Sequence, residues 1–419
     1  MIIPAMPSGA LFMTEIFQKP LSLTEIKEKT EKFLFNTYAK LPRAFYFGQG
    51  ELLYDTENKS YIDFMSGIAV TALGHGEADI VEAIREQSDR ILHSSNLFYN
   101  QEQALLAEAL ISHTFPGKVF LCNSGTEANE AAFKLCRRYG QKSKGGAEWI
   151  LSLKNSFHGR TAAAMSLTGQ NKIHDGFGSL IPNHKYISVN DIPELEKEFE
   201  ENGHNICGLF LEPIQGEGGI RILDKDFVQL ARKLCNEYKI PLVFDEIQTG
   251  LGRTGKLFAY EHYDIEPDIL TLAKALGNGF PVGAMIAKEN YAALFSPGTH
   301  GSTFGGNHLA SRVAYETLKI IMSREVLNHV NAIGDYITQR LILLKQKYEF
   351  IVEIRGLGLH IGMEMDRPCG DLVLLCLDNG LIINCTAVNT IRIMPPLNLS
   401  LENAAKGLDI LDRCLSELK

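Results

Sequence analysis

The stretch IPLVFDEIQTGLGRTGKLFAYEHYDIEPDILTLAKALGNGFPVGA, residues 240–284, contains two short apolar runs, PLVFD and DILTLA. Short continuous apolar runs are typical of strands that are buried on both faces of a parallel sheet. The runs KVFLC, EWILSL and CGLFLE have the same character, and amphipathic helical patterns separate them. The alternation predicts an α/β fold with a mostly parallel sheet that helices cover on both faces.

Two of these runs end in a residue that can do chemistry. Asp245 ends PLVFD, and Lys274 follows DILTLA, directly before a glycine-rich turn. Ligands of open α/β sheets bind outside the carboxyl ends of the strands, where a carboxylate can pair with a buried cationic nitrogen. Apolar surroundings lower the pKa of a lysine and make its amine a usable nucleophile. Taken singly, Asp245 is equally well a solvated or helix-capping acid, and Lys274 is better interpreted as a surface lysine.

A third segment, NSGTEANEAAFKLCRRY, follows the run KVFLC. Ser124 and Glu127 have capping-box spacing, so Gly125 and Thr126 are predicted to begin a helix. Helix N-termini bind phosphate through free backbone N–H groups, although an ordinary capped helix is the favoured interpretation of this segment alone. Together, the three segments supply a phosphate cradle, an acid and a lysine. Pyridoxal phosphate requires these three groups.

The motifs NSGTEANEAA, SFHGRT, LEPIQGEGG, DEIQTGLGRTG, AKALGNGFPVGA, HGSTFGGN and IRIMPPL occur in this order. They resemble the motifs of class III (subgroup II) aminotransferases, which are pyridoxal-phosphate enzymes of fold type I. The resemblance extends from about Phe35 to the C-terminus. It implies a large cofactor-binding domain over residues 66–305 and a smaller α+β domain over residues 306–419. Residues 1–65 would form an N-terminal segment that joins the small domain.

The resemblance also implies how the cofactor is held. Lys274 would attach it as a Schiff base, Asp245 would pair with the pyridinium nitrogen, and Gln248 would contact the ring hydroxyl. Phe157 would stack on the ring, and Thr303 would reach the phosphate in the neighbouring subunit of a homodimer with shared active sites. The complete expected cofactor-binding set is Ser124, Gly125, Thr126, Phe157, Asp245, Gln248, Lys274 and Thr303.

Four further residues would bind the substrates by the same resemblance. Arg160 would bind a substrate carboxylate, and Ser302 would lie near the substrate. Arg392 would bind the α-carboxylate of glutamate or 2-oxoglutarate, and Glu217 would pair with Arg392 when no dicarboxylate is bound. A guanidinium fork fits a carboxylate well, and a buried unpaired arginine is costly, so a resident glutamate is a reasonable substitute partner.

The segments HSSNLFY and FHGRT resemble the acetylornithine branch of the family. This likeness implies transfer of the terminal amino group of N2-acetyl-L-ornithine to 2-oxoglutarate, giving N-acetyl-L-glutamate 5-semialdehyde and L-glutamate, a step of arginine biosynthesis. Aminotransferases of ornithine, 4-aminobutyrate or succinyl-diaminopimelate are the alternatives with the same fold. A mutase or racemase, and a non-enzymatic regulator that senses pyridoxal phosphate, are more remote alternatives.

Composition excludes several other classes. The net charge of −9 argues against nucleic-acid and anionic-membrane partners. No Cys/His cluster has zinc spacing, so no metal is expected, and the eight dispersed cysteines are interpreted as buried free thiols of a reducing compartment. Residues 1–17 lack the pattern of a signal peptide, and a cytoplasmic location is therefore expected. The segment GLGRTG matches a dinucleotide fingerprint, but it lacks the strand directly before it and the helix after it.

The chain ends give more local predictions. A helix is predicted around Leu23–Tyr38, with Ser22 as its N-cap and Glu25 in the capping-box position. The run YDTENKSY predicts a hairpin turn between two short strands. Helices are expected after Gly306, over residues 323–347 and over the tail from residue 402, with strands at YEFIVEIRG and HIGMEM.

Overall fold

The computed structural model describes residues 20–323 and 325–418, so the expectation for residues 1–17 lies outside the described part. The strands are β1 Phe45–Gln49, β2 Leu52–Asp55, β3 Ser60–Asp63, β4 Gly117–Cys122, β5 Trp149–Leu153, β6 His184–Ile187, β7 Ile206–Leu211, β8 Ile214–Gln215, β9 Arg221–Ile222, β10 Leu242–Asp245, β11 Ile269–Leu272, β12 Gly283–Lys288, β13 Ile351–Leu357, β14 His360–Met365, β15 Leu381–Ile382, β16 Asn384–Thr386 and β17 Thr390–Ile393.

Helices surround these strands. They are α1 Leu23–Phe33, α2 Ser66–Ala69, α3 Ala78–Arg90, α4 Gln101–Ser112, α5 Gly125–Ser143, α6 Ala162–Leu167, α7 Asn171–His174, α8 Ile192–Asn202, α9 Lys225–Glu237, α10 Glu289–Ala292, α11 His308–Ser323, α12 Val326–Lys347, α13 Gly370–Asp378 and α14 Leu401–Glu417. Two 3₁₀ helices cover Ala259–Tyr263 and Lys274–Gly277. In this described part of the chain, no helix has the length and apolarity needed to cross a bilayer.

A seven-stranded sheet in the order β4-β12-β11-β10-β7-β5-β6 forms the centre of the fold. Its strands are parallel except β12, which is antiparallel to both β4 and β11. The five apolar runs are strands β4, β5, β7, β10 and β11, and β7 and β10 are buried along their whole length. The predicted α/β class with a mostly parallel sheet is therefore confirmed.

The sequence interpretation did not separate out strands β6 and β12. The direction of β12 follows from its short connection to β11, which contains only one turn of 3₁₀ helix. A parallel crossover needs a dozen or more residues, usually with a full helix. The antiparallel neighbour is therefore the arrangement that this connection allows.

Two four-stranded sheets contain the remaining strands apart from the β8–β9 pair; the first combines N-terminal and C-terminal strands, and the second is entirely C-terminal. One has the order β1-β2-β3-β15, in which β15 pairs with β3 in parallel, and the other has the order β13-β14-β17-β16. The hairpin of β2 and β3 and the helices α11, α12 and α14 agree with their predictions. Helix α1 has the expected capping box but ends at Phe33 rather than near Tyr38.

The prediction that all cysteines are free thiols is wrong for one pair. Cys369 and Cys385 form a disulfide, with their Cα atoms 5.8 Å apart. Their sequence separation of 16 residues matches no short cysteine motif, and the pairing depends on the packing of the N-terminus of α13 beside β16. The other cysteines are free and buried: Cys122, Cys136, Cys207, Cys235, Cys376 and Cys414.

Candidate active site

A cavity of about 420 Å³ lies at the carboxyl ends of the central strands. Nearly all of the cofactor residues expected from the sequence line it: Ser124, Gly125, Thr126, Phe157, Asp245, Gln248 and Lys274. Arg160 and Glu217 line the same cavity. The parallel strands explain this convergence, since β4, β10 and β11 all end at one edge of the sheet.

Lys274 directly follows strand β11 in the turn that begins the second 3₁₀ helix. Its φ is +47°, a left-handed conformation that side chains other than glycine adopt at a cost and that clusters at functional sites. Burial and the charge of Arg392 lower the pKa of Lys274 to about 8, against the opposing carboxylates Glu217, Asp245 and Glu212. The amine is therefore a usable nucleophile near neutral pH.

Asp245 is 4% exposed and is held by three donors. Its Oδ2 accepts from Asn129 Nδ2 and from His158 Nδ1, each at 2.7 Å, and its Oδ1 accepts from the backbone N–H of Ile247 at 3.1 Å. A carboxylate has about four acceptor positions, so Oδ1 can still accept from a ligand. Burial opposes protonation of His158, but the hydrogen bond and charge of Asp245, with Glu212, raise the pKa of that histidine.

The N-terminus of α5 forms the expected cradle for an anion. Ser124 Oγ accepts from the backbone N–H of Glu127 at 3.3 Å, while the Glu127 carboxylate accepts from the N–H of Asn123 at 2.8 Å. The cap therefore differs slightly from the predicted box, in which Glu127 would bond to Ser124 N–H. Gly159 keeps this end open, because a Cβ on it would lie 2.2 Å from Thr126 Oγ1.

Phe157 and Arg160 occupy the wall between strand β5 and helix α6. The backbone N–H of Phe157 donates to Glu212 Oε2 at 3.0 Å, and burial raises the pKa of Glu212 to about 8. The Arg160 guanidinium lies 5.8 Å from the centre of the Phe157 ring, a distance at which cation–π attraction acts. Arg160 is exposed to the cavity and makes no ion pair with the described residues, so its charge is available to a carboxylate.

Glu217 and Arg392 form an ion pair next to Lys274. Arg392 is 1% exposed, and its Nε and Nη2 donate to Asn384 Oδ1 at 3.0 and 2.6 Å. The Glu217 side chain is 32% exposed. Burial opposes its ionisation, but Arg392 lowers the pKa of Glu217 below its ordinary value. The arginine is therefore fixed, and the glutamate is the partner that has room to leave.

Ser302 and Thr303 do not line this cavity. Ser302 lines a second cavity of about 430 Å³ beside Asn96 and Tyr99, and its Oγ accepts from Asn123 Nδ2 at 3.2 Å. Thr303 is exposed on the same surface. The structure thus brings together most of the expected site residues within one chain and leaves these two outside.

Several residues at the site did not emerge as candidates from the sequence. Asn129 and His158 hold Asp245, Glu212 holds the Phe157 backbone, and Asn384 holds Arg392. Three of them lie inside the quoted motifs NSGTEANEAA, SFHGRT and LEPIQGEGG, so a closer reading of those motifs could have proposed them. Asn384 lies outside every motif, and only the pairing of β16 with β17 places it beside Arg392.

These residues fit pyridoxal phosphate. The α5 N-terminus offers free donors for the phosphate, Asp245 Oδ1 offers an acceptor for a protonated ring nitrogen, and Lys274 offers an amine for the aldehyde.

The GLGRTG segment does not form a dinucleotide site, because it folds as turns that lead into the 3₁₀ helix Ala259–Tyr263. No group of metal-binding side chains occurs within residues 20–323 and 325–418.

Comparison with known proteins gives an independent result. The family model described as "Aminotransferase class-III" matches residues 36–415. The chain is 45% identical over 391 residues to an acetylornithine aminotransferase of Caldanaerobacter subterraneus subsp. tengcongensis, covering 93% of this chain and 98% of the relative. It is 42% identical to a succinylornithine transaminase of Salmonella newport, covering 93% and 96%.

Solved structures give the same picture of the fold. The crystal structure of an ornithine aminotransferase from Toxoplasma gondii ME49 matches with a TM-score of 0.91. The two proteins are 29% identical, and the match covers 95% of this chain and 96% of the other.

Proposed function

The chain belongs to the class III aminotransferase family, and on that premise we propose that it transfers the terminal amino group of N2-acetyl-L-ornithine to 2-oxoglutarate. The protein is a pyridoxal-phosphate-dependent transaminase. The observation that carries the choice of substrates is the Glu217–Arg392 ion pair beside a cavity in which Arg160 has no ion-pair partner among the described residues. Relatives that are 40–45% identical and named acetylornithine aminotransferase support the donor.

The two arginines account for the use of two unlike substrates in turn. In the donor half-reaction, Arg160 binds the carboxylate of acetylornithine, while Glu217 keeps the charge of Arg392 neutralised. In the acceptor half-reaction, the α-carboxylate of 2-oxoglutarate binds Arg392, and Glu217, which is the more exposed partner, moves away from it. Bidentate pairing of guanidinium with carboxylate provides the orientation in each case.

Lys274 carries the proton. When bound, pyridoxal phosphate supplies an aldehyde for the amine and a ring that withdraws electrons. With the cofactor bound, Lys274 Nζ would act as the general base that takes the proton from the carbon bearing the donor amine and would then donate that proton to the cofactor side. Asp245 Oδ1 would accept a hydrogen bond from a protonated ring nitrogen. The donor product leaves before 2-oxoglutarate enters, so the kinetics are ping-pong.

We include a homodimer with shared active sites in the proposal. Four large apolar side chains are exposed beside Thr303: Leu97, Phe98, Tyr99 and Phe304. Exposed apolar surface of this kind marks protein interfaces. A second copy that covers it would bring Thr303 to the phosphate end of the neighbouring cavity, with Ser302 near its substrate.

A cytoplasmic location also belongs to the proposal. The buried free thiols, such as Cys136 and Cys207, support it because proteins of reducing compartments keep such cysteines unpaired. The Cys369–Cys385 disulfide is uncommon for that compartment.

A donor panel tests the choice of amine. Acetylornithine, succinylornithine, ornithine, 4-aminobutyrate and succinyl-diaminopimelate are each assayed with 2-oxoglutarate, and kcat/KM values are compared. Acetylornithine is expected to give the highest value. Succinylornithine is the second candidate because a relative that is 42% identical is named for it. A higher value for any other amine would replace the proposed donor, and turnover without a keto acid would indicate a mutase or racemase.

Arg392→Ala is expected to damage the 2-oxoglutarate half-reaction more than the donor half-reaction. The variant removes the guanidinium that the α-carboxylate would bind, and truncating one partner of a buried charge pair costs about 2–5 kcal/mol. Single-turnover rates of each half-reaction, followed by cofactor absorbance, measure the two losses separately. Arg340→Ala, which removes a surface ion pair with Asp409, is the matched control. Equal losses in both half-reactions would contradict the switch.

A further inference from the structure

A side-chain contact joins the cavity to strand β14. His360, the first residue of that strand, is 0% exposed, and its Nε2 lies 3.0 Å from Gln248 Oε1. Gln248 follows β10 and lines the cavity. Its amide nitrogen forms no hydrogen bond with the described residues. The Gln248 side chain, which would face the cofactor ring, is therefore hydrogen-bonded on its far side to His360, a residue of another sheet.

The protonation state of His360 follows from its surroundings. Burial, with the nearby charges of Arg253, Arg392 and Lys274, holds the pKa of His360 well below its ordinary value, so the ring is neutral. A neutral imidazole carries one N–H, on either Nδ1 or Nε2. His360 Nδ1 is buried and has no partner in the described part of the chain.

The unpartnered nitrogen decides between the two tautomers. A proton on Nδ1 would leave a buried N–H without an acceptor, and such orphaned donors are rare. A lone pair on Nδ1 leaves only an acceptor unpaired, which is the less costly case. The proton therefore resides on Nε2 and is donated to Gln248 Oε1.

This hydrogen bond fixes which end of the Gln248 amide enters the cavity. With Oε1 turned to His360, the amide NH₂ group is the end left free. Gly216 packs against this same oxygen end of the amide, because a Cβ on residue 216 would lie 1.9 Å from Gln248 Oε1. Both contacts lie at Oε1, so the amide nitrogen is the end that is left toward the cavity.

We propose that His360 is a positioning residue, which orients Gln248 so that the amide NH₂ donates to the ring hydroxyl oxygen of pyridoxal phosphate. The inference rests on the proposed function only through the cofactor and not through the amine donor. A donor in this place stabilises negative charge on that oxygen, and a reversed amide would present an acceptor instead.

The test distinguishes a role of His360 in orienting the Gln248 amide from a role in merely filling space in the core. His360→Met keeps an apolar side chain of similar length but cannot donate, whereas His360→Gln places an amide N–H where Nε2 was. Apo-protein is titrated with pyridoxal phosphate, and the cofactor Kd and the absorbance maximum of the lysine-linked cofactor are recorded. One lost hydrogen bond is expected to raise Kd about fivefold in His360→Met, with a shifted maximum. His360→Gln is expected to restore both values.

A double-mutant cycle shows whether His360 acts through Gln248. Gln248→Met is expected to weaken cofactor binding by itself, and His360→Met is expected to add little in that background. His329→Met is the control, since His329 is a part-buried histidine bonded to the backbone of Leu399 outside the cavity. Additive losses, or an unchanged absorbance maximum in His360→Met, would overturn the proposal. Both readouts report the cofactor alone, so a different amine donor would show only in the donor panel.

Discussion

Lys274→Ala is expected to abolish transamination, with a loss of at least about 10⁴-fold in kcat. The change removes both the amine that attaches the cofactor and the base that moves the proton. In this variant, added pyridoxal phosphate should also lack the absorbance of the lysine-linked form. Turnover with acetylornithine and 2-oxoglutarate, together with the spectrum of the reconstituted protein, measures both effects.

A neighbouring lysine provides the matched control for this result. Lys256 is exposed on the segment before the first 3₁₀ helix, so Lys256→Ala removes a lysine charge without changing the cavity. The control should keep the spectrum and the rate of the unaltered protein. If Lys274→Ala retained full activity, the assignment of Lys274 would be wrong, whichever amine is the donor.

The sequence predicted the residues at strand ends better than their partners. Asp245, Lys274 and the Ser124 turn could be predicted because each lies at the carboxyl end of an apolar run. The topology of a parallel sheet then brings such ends to one edge. No comparable rule predicts that Asn384 and His360 reach the site, since both come from the separate sheet β13-β14-β17-β16. Their positions depend on how that sheet packs against the cavity.

The same limit explains the two errors of local interpretation. The Cys369–Cys385 disulfide depends on tertiary packing, to which motif spacing is insensitive. The end of α1 at Phe33 left Phe35 and Tyr38 outside the helix, with exposed fractions of 91% and 74%. These two apolar side chains are therefore largely unpacked in the described part of the chain. Such a pattern is also what an intersubunit contact would produce.

Asp245→Asn is expected to lower kcat by about 100-fold to 1,000-fold while leaving some cofactor bound. The substitution keeps the shape of the side chain but removes the charge that would hold a proton on the ring nitrogen. It also replaces one carboxylate oxygen, an acceptor, with an amide NH₂ group, which is a donor. In the unaltered protein, Asp245 Oδ2 accepts from both Asn129 and His158, so the substitution also disturbs these contacts if the NH₂ group takes that place. The rate of the donor half-reaction and the cofactor Kd, measured separately, should show a large loss in the first and a smaller one in the second.

Asp268→Asn distinguishes this electrostatic role from the general cost of changing a buried aspartate. Asp268 is 6% exposed and lies just before β11, at the opposite edge of the sheet, where it accepts from Arg232 Nη1 at 2.7 Å. Its loss should lower thermal stability, because it breaks a buried pair, but the folded protein should keep its kcat. A near-normal rate in Asp245→Asn would remove the proposed role of Asp245. Asp268 does not line the cavity. Equal rate losses in both variants would therefore mean that the rate falls because a buried aspartate of the sheet is changed, and not because the ring nitrogen loses its partner.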